Sequence, residues 1–287
     1  MHAETLKTRT GQFPIGFRDC LEDSIAWARD NGFAVLDLVK NVAEKRERAR
    51  TVALPVGAMD LPTVRSLITA DEGRREAAVA ATTTFLRECS GDRPAVFLTI
   101  MLPEEPERAR RENFEFMVAA YSALSGILEE CDCRLVIEGW PGPGALCCTP
   151  EGLRAFFAAC PSERIGVNYD PSHLIRMGID PVRFLHEFSG RVFHMHAKDT
   201  ELIAGNIYEF GREQPPTFAK SIPFGAVAWR YTIPGHGQTP WTGIFRILEQ
   251  SGFDGFVSIE LEDANFRDTE DLKKAGLLHA GQFLTGC

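Results

Sequence analysis

The feature that most constrains this chain is a repeated pattern. A short apolar run, a turn and a helix-favouring stretch follow one another about eight times. The apolar runs are residues 13–17, 33–38, 54–59, 95–102, 134–140, 165–169, 192–197 and 256–261. Most are continuous rather than alternating, as expected of strands covered on both faces. The stretches between them favour helix at 21–31, 42–50, 71–89, 114–131, 240–251 and 268–283, and behind the capping residues Thr149 and Asp180. The repeat length is roughly that of one β/α unit, about 30 residues. Eight such units in 287 residues predict an α/β fold: a closed (β/α)8 TIM barrel, typically about 250 residues long, forming a single domain over 1–287. No Gly-x-Gly-x-x-Gly follows any strand, so a dinucleotide fold has no support; Gly235-His236-Gly237 is only part of that pattern.

One connection breaks the rhythm. From 201 to 238 no regular element is evident, yet the stretch carries Tyr208, Phe210, Phe218, Phe224, Trp229 and Tyr231, with Arg212 and Arg230. Its aromatic content argues against disorder. A loop of this length is expected to act, here as a lid over the site after strand seven. Residues 103–112 form a charged turn that reads as a solvated loop and helix start.

Composition excludes several classes. A net charge of −9 argues against a nucleic-acid partner. No window holds the roughly 18 consecutive apolar residues of a membrane span. The first nine residues are polar and lack the apolar core of an export signal. Eight cysteines occur, but Cys131-x-Cys133 and Cys147-Cys148 lack zinc-knuckle spacing, so reduced thiols in the cytoplasm are expected.

In such a barrel the site lies at the C-terminal strand ends. The fifth strand ends in Glu138-Gly-Trp140 and the sixth in Asp170-Pro-Ser-His173. The seventh puts His194, His196 and Lys198 on one face by strand alternation, and the eighth ends in Glu260-Leu-Glu262-Asp263. Four adjacent strands therefore present carboxylates or an imidazole at one rim. Three carboxylates and one imidazole make an oxygen-rich donor set, suited to Mn²⁺ or Mg²⁺, with Co²⁺ admissible and structural Zn²⁺ less well matched.

The segments Ile137-Glu138-Gly-Trp-Pro-Gly142, Asn168-Tyr-Asp170-Pro-Ser-His173, His194-Met-His196-Ala-Lys-Asp199 and Ser258-Ile-Glu260-Leu-Glu-Asp263 resemble those of the sugar phosphate isomerase/epimerase group. That group belongs to the xylose isomerase-like TIM barrel superfamily, with the ketose 3-epimerases, inosose dehydratase, hydroxypyruvate isomerase and endonuclease IV. The resemblance covers the chain from about residue 13 onward. It implies one divalent metal ion, with Mn²⁺ favoured over Mg²⁺, Co²⁺ or Zn²⁺, held by Glu138, Asp170, His196 and Glu260. His194 then supports the site from deeper in the barrel. The two glutamates would serve as catalytic base and acid, with Lys198, His173 and His236 as the other candidates for moving protons. His173, Lys198, Trp140, Arg230 and His236 are the expected substrate contacts.

The chemistry implied is proton abstraction beside the carbonyl of a ketose or keto-sugar, through an enediolate. Return of the proton to the opposite face gives epimerisation, and return to the next carbon gives aldose–ketose isomerisation. The sequence departs from the small ketose epimerases in two ways. Lys198-Asp199 stands where many have an arginine soon after the strand-seven histidine, and the aromatic connection is longer. The longer connection suggests a larger or more apolar substrate, such as a glycoside, so β-elimination from a 3-keto-glycoside is the alternative. A DNA-repair nuclease is disfavoured by seven histidines and an acidic chain; a sugar-binding protein without catalysis would leave both glutamates idle. The expected partner is a small carbohydrate, and a homo-oligomer is compatible with such a barrel.

Overall fold

The eight apolar runs become the eight strands of a closed parallel barrel, in the computed structural model that describes residues 5–91 and 95–287. The barrel strands are β1 (Ile15–Arg18), β2 (Leu36–Leu38), β3 (Val56–Asp60), β4 (Val96–Ile100), β5 (Arg134–Glu138), β6 (Ile165–Tyr169), β7 (Val192–Ala197) and, after two strands outside the barrel, β10 (Val257–Ile259). Each lies beside its predecessor, and β10 closes the ring against β1 with Ile15 opposite Val257. Residues 1–4, part of the polar stretch from which no export signal is expected, lie outside the described residues.

The outer helices are α1 (Ser24–Asp30), α2 (Val42–Thr51), α3 (Glu72–Cys89), α4 (Arg110–Glu130), α5 (Pro150–Ala159), α6 (Pro171–Met177), α7 (Pro181–Phe188), α9 (Trp241–Gln250) and α10 (Glu270–Thr285). Their starts follow from local chemistry. Asp71, Thr149 and Asp180 accept hydrogen bonds from Arg74, Gly152 and Val182 backbone N–H groups, which leaves fewer first-turn donors unsatisfied. Helix α4 begins within the charged turn, at Arg110. Among the described residues, no helix is long and apolar enough to cross a membrane.

The strands' outward side chains pack against the helices; Phe97, for example, meets Phe85 of α3 edge-on at 5.8 Å. Inside the barrel, Ala58, Val96, Leu98 and Val136 form one apolar layer with Phe193. The next interior residues are polar: Asp37, Asn168, His194, His196 and Ser258 are all essentially inaccessible to solvent. A barrel selected for stability alone would fill these positions with branched apolar side chains.

Two segments correct the sequence-based expectation. The stretch from 201 to 238 is not without regular structure: β8 (Asp199–Leu202) and β9 (Trp229–Thr232) form an antiparallel pair, and α8 (Ala204–Phe210) follows β8. Neither strand is long, and their pairing is non-local, so no periodic signal marks them. The second is α6, which follows β6 directly. Its seven residues are too few for a periodicity reading, although Asp170-Pro171 and the left-handed Gly178 bracket it.

Candidate metal centre and active site

Asp170 directly follows β6 and caps α6. Its Oδ1 accepts hydrogen bonds from Ser172 N (2.9 Å) and Ser172 Oγ (2.6 Å). This fixes the carboxylate and leaves Oδ2 buried without a hydrogen-bond partner. The first turn of α6 carries His173 back over the strand ends, where its Nε2 donates to Glu138 Oε1 at 3.0 Å.

Glu138, Asp170, His196 and Glu260 come together, each offering a ligand atom within 4.8 Å of all the others. His196 lies between two carboxylate groups. Its Nδ1 is 3.2 Å from Glu138 Oε1 and 3.5 Å from Glu260 Oε2, and its Nε2 is 3.6 Å from Asp37 Oδ2. Three carboxylates, one imidazole and an unsatisfied buried oxygen fit a single divalent ion. A second group of donors, Asp37, His194 and His196, lies deeper. There Asp37 Oδ2 already accepts from His194 Nε2 at 2.9 Å, and Asp37 Oδ1 accepts from Ala58 N at 2.7 Å. These bonds make it an orienting set beneath the ligands.

Cations surround Glu260. Lys198 Nζ donates to Glu260 Oε2 (2.5 Å) and Glu262 Oε2 (2.9 Å) and lies 3.4 Å from Asp170 Oδ2. Arg18 grips Asp60 with two bonds, 2.7 and 2.6 Å, and its Nε is 3.1 Å from Glu260 Oε1. Burial would raise the Glu260 carboxyl, but Lys198 and His196 outweigh it and hold Glu260 well below the usual carboxylate range. Burial is likewise overridden at Glu138, held well down by His196 and His173. In return, Glu138 and Glu260 hold the His196 imidazole well above its ordinary value, against the effect of burial. Glu260, Asp170 and Glu262 do the same for Lys198. The site is therefore a compact cluster in which carboxylates (Glu138, Asp170, Glu260, Glu262, Asp37 and Asp60) outnumber the cations Lys198, Arg18 and His196.

The expected substrate contacts divide. His173 and Lys198 sit among the ligand set. Trp140 is half-buried and packs on Leu102, Ala145 and Cys148. Arg230 lies on the hairpin, where its Nε donates to Glu201 Oε2 at 2.6 Å. His236 is exposed, its ring 6.5 Å from that of Phe266. The last three are not brought into the ligand cluster.

Reasoning from strand ends missed four groups. Asp37 lies within an apolar run, Arg18 and Asp60 end β1 and β3 rather than one of the four strands whose ends supply the ligands, and Tyr231 falls in the long aromatic connection. The Tyr231 hydroxyl is 2.6 Å from His173 Nδ1, and its ring lies 4.5 Å from Lys198 Nζ. The only hint in the sequence was the spacing of Asp37, which falls near the end of the second apolar run. A cavity of about 530 Å³ opens at the opposite end of the barrel, between the starts of β3, β4, β5 and β7, remote from this chemistry.

Among curated proteins, the chain is 23% identical over 159 residues to inosose dehydratase of Clostridium tetani (strain Massachusetts / E88), covering 55% of this chain and 50% of that protein. It thus spans about half the length of that relative. Among solved structures, the apo form of 3-keto-D-glucoside 4-epimerase, YcjR, from E. coli superposes with a TM-score of 0.67 at 14% identity, over 96% of this chain and 100% of that one. D-psicose 3-epimerase in the presence of D-fructose gives a TM-score of 0.67 at 13% identity, with the same coverage. At such identity these likenesses establish the fold. A family model for the xylose isomerase-like TIM barrel matches residues 20–281. The chain belongs to the xylose isomerase-like TIM barrel family.

Proposed function

We propose that this protein is a metal-dependent sugar isomerase or epimerase that acts on a ketose or keto-sugar. It would move a proton beside the carbonyl, through an enediolate of the substrate. The observation that carries the reading is the meeting of buried Glu138, Asp170 and His196 with the half-buried Glu260 in one cluster. In the proposal Glu138, Asp170, His196 and Glu260 hold one divalent ion, with Mn²⁺ preferred for its oxygen-rich donor set. When bound, the ion supplies Lewis-acid polarisation of the substrate carbonyl and its neighbouring hydroxyl, which acidifies the adjacent C–H.

The chain's own residues do the rest. Glu138 and Glu260 are both held ionised, so each is a base in the resting protein. Lys198, 2.5 Å from Glu260, brings a positive charge to the side on which negative charge develops. His173 steadies Glu138 and faces the same space. Trp140, Arg230 and His236 stand further out, as contacts for the distal part of the sugar. The connection after β7 covers the site through Tyr231. We place the protein in the cytoplasm, where its free cysteines remain reduced.

A second reading is β-elimination, as in cleavage of a 3-keto-glycoside. The similarity to a protein named as a dehydratase favours it, because dehydration is α-deprotonation followed by loss of a β-substituent. The two readings separate in one experiment. The purified protein is loaded with Mn²⁺ and incubated in heavy water with a panel of ketoses and 3-keto-glycosides. Deuterium entering the α-carbon, lost in Glu260→Gln, is the expected result. Metal binding without exchange across the panel would overturn the proton-transfer reading in favour of a sugar-binding protein. Release of free aglycone would establish elimination.

A further inference from the structure

We propose that Tyr231 is a positioning residue for Glu138: it sets the His173 tautomer whose Nε2–H holds the Glu138 carboxylate. Only its catalytic consequence rests on the function proposed above. Tyr231 and His173 are both buried, so every polar atom between them needs a partner inside the protein.

The partners fix the direction of each hydrogen bond. Arg176 can only donate, and its Nη1 is 2.8 Å from the Tyr231 oxygen. The phenolic hydrogen is then directed to His173 Nδ1, 2.6 Å away. With Nδ1 taken as the acceptor, the ring hydrogen sits on Nε2, which is 3.0 Å from the Glu138 carboxylate oxygen Oε1 and donates to it. Among the described residues, His173 Nδ1 is the one acceptor within hydrogen-bond distance of the Tyr231 hydroxyl. The result is a directed series: Arg176 to Tyr231, Tyr231 to His173, His173 to Glu138. His173 and His196 both address Oε1 of Glu138, which fixes the rotation of the carboxylate.

The hairpin that brings Tyr231 is tied to the barrel. Asp199 Oδ2 accepts from Trp241 Nε1 (3.0 Å) and Gly235 N (3.2 Å), and Asp263 Oδ2 accepts from Ile233 N (3.1 Å). Arg176 is itself clamped, its guanidinium 4.3 Å from the centre of the Trp229 ring. Buried hydrogen bonds and the Arg176–Trp229 contact therefore hold the hairpin that carries the phenol against the barrel. This gives the irregular connection after β7 a definite task at the site.

The test uses the full chain with ¹⁵N-labelled histidine and diamagnetic Mg²⁺, and His173→Gln to assign the resonance. Long-range ¹H–¹⁵N correlation should show His173 as the single Nε2–H tautomer. Tyr231→Phe keeps the ring over Lys198 and removes only the hydroxyl. It should convert His173 to a mixture of tautomers and lower kcat about tenfold, with KM changed less than about twofold. Arg176→Lys retains a donor and should preserve the tautomer; Arg176→Met should perturb it in the same direction as Tyr231→Phe. An Nδ1–H tautomer in the unmodified protein, or a His173 spectrum unchanged in both Tyr231→Phe and Arg176→Met, would overturn the proposal. The tautomer measurement decides it even if no keto-sugar is turned over, an outcome that would instead count against the proposed function.

Discussion

Asp37 and His194 are hydrogen-bonded through the barrel interior, Oδ2 to Nε2 at 2.9 Å, with both side chains fully buried. The bond joins β2 to β7 directly beneath His196. Burial alone would raise the Asp37 carboxyl, but the two imidazoles hold it far below the ordinary range. The arrangement is possible because β3 offers Gly57 there: a Cβ at that position would lie 2.2 Å from Asp37 Oδ1.

Asp37→Asn should therefore weaken both the fold and the metal site. The amide cannot accept from His194 Nε2 and the Ala58 N–H as a charged carboxylate does, and it puts no negative charge 3.6 Å from His196 Nε2; removing the charged partner from a buried pair costs about 3–5 kcal/mol. Loss of a carboxylate behind a ligand histidine lowers metal affinity about 10- to 100-fold. Urea unfolding and competitive Mn²⁺ titration read the two effects separately. Unchanged affinity in a destabilised variant would mean that Asp37 serves the fold alone.

Lys198 has the opposite relation to the metal. Its ammonium is buried among Glu260, Glu262 and Asp170. Lys198→Met removes the cation shared by those three carboxylates, leaving Arg18 and His196 beside Glu260 alone, and should cost about 3–5 kcal/mol in EDTA. A divalent ion supplies positive charge to the same carboxylates. The rise in Tm on adding Mn²⁺ should thus be larger in Lys198→Met than in the unmodified protein. Equal rises would show that the lysine and the ion do not share their partners.

The metal-free protein should be most stable between about pH 4.5 and 6.5. Glu138, Glu260 and Asp37 are held low when folded. Their contribution is complete above the unfolded carboxylate values and is lost as the pH falls toward the folded ones, because the unfolded chain binds protons first. His196 is held high. Its contribution is complete below its unfolded value, about 6.5, and declines as the pH rises through the folded one. Urea midpoints measured in EDTA from pH 3 to 9 should fall on both sides. A midpoint still climbing from pH 6.5 to 8.5 would contradict the ionisation described for His196.

Asp199 anchors the return of the long connection. Its Oδ1 accepts from Thr200 N (2.8 Å), Thr239 N (3.0 Å) and Thr239 Oγ1 (2.7 Å), and its Oδ2 from Trp241 and Gly235. Asp199→Ala strands these donors in a buried site and should cost at least about 3 kcal/mol. Limited proteolysis should cut faster between 204 and 224, where Tyr208 and Phe218 are 91% and 96% exposed. Cleavage at the unmodified rate would show that the connection is held elsewhere.

The barrel was legible in the sequence because its causes are local. Continuous apolar runs specify covered strands, Asp71, Thr149 and Asp180 mark helix starts, and strand ends carry the chemistry of this fold. Glu138, Asp170, His196 and Glu260 each stand at a fixed place relative to an apolar run, so their convergence follows from the order of the strands. Tertiary structure decided everything that depends on two distant segments meeting. Asp37 looked like a polar interruption in a strand until β7 placed His194 against it. Arg18 and Asp60 acquired a role only when ring closure set β1 beside β10. Tyr231 lies in a connection with no period of its own; its place over His173 comes from a hairpin whose strands are joined by residues 203–228 and held by two buried aspartates. Periodicity records which side of an element is buried. It does not record which buried polar groups will face each other, because that is set by the closure of the whole barrel.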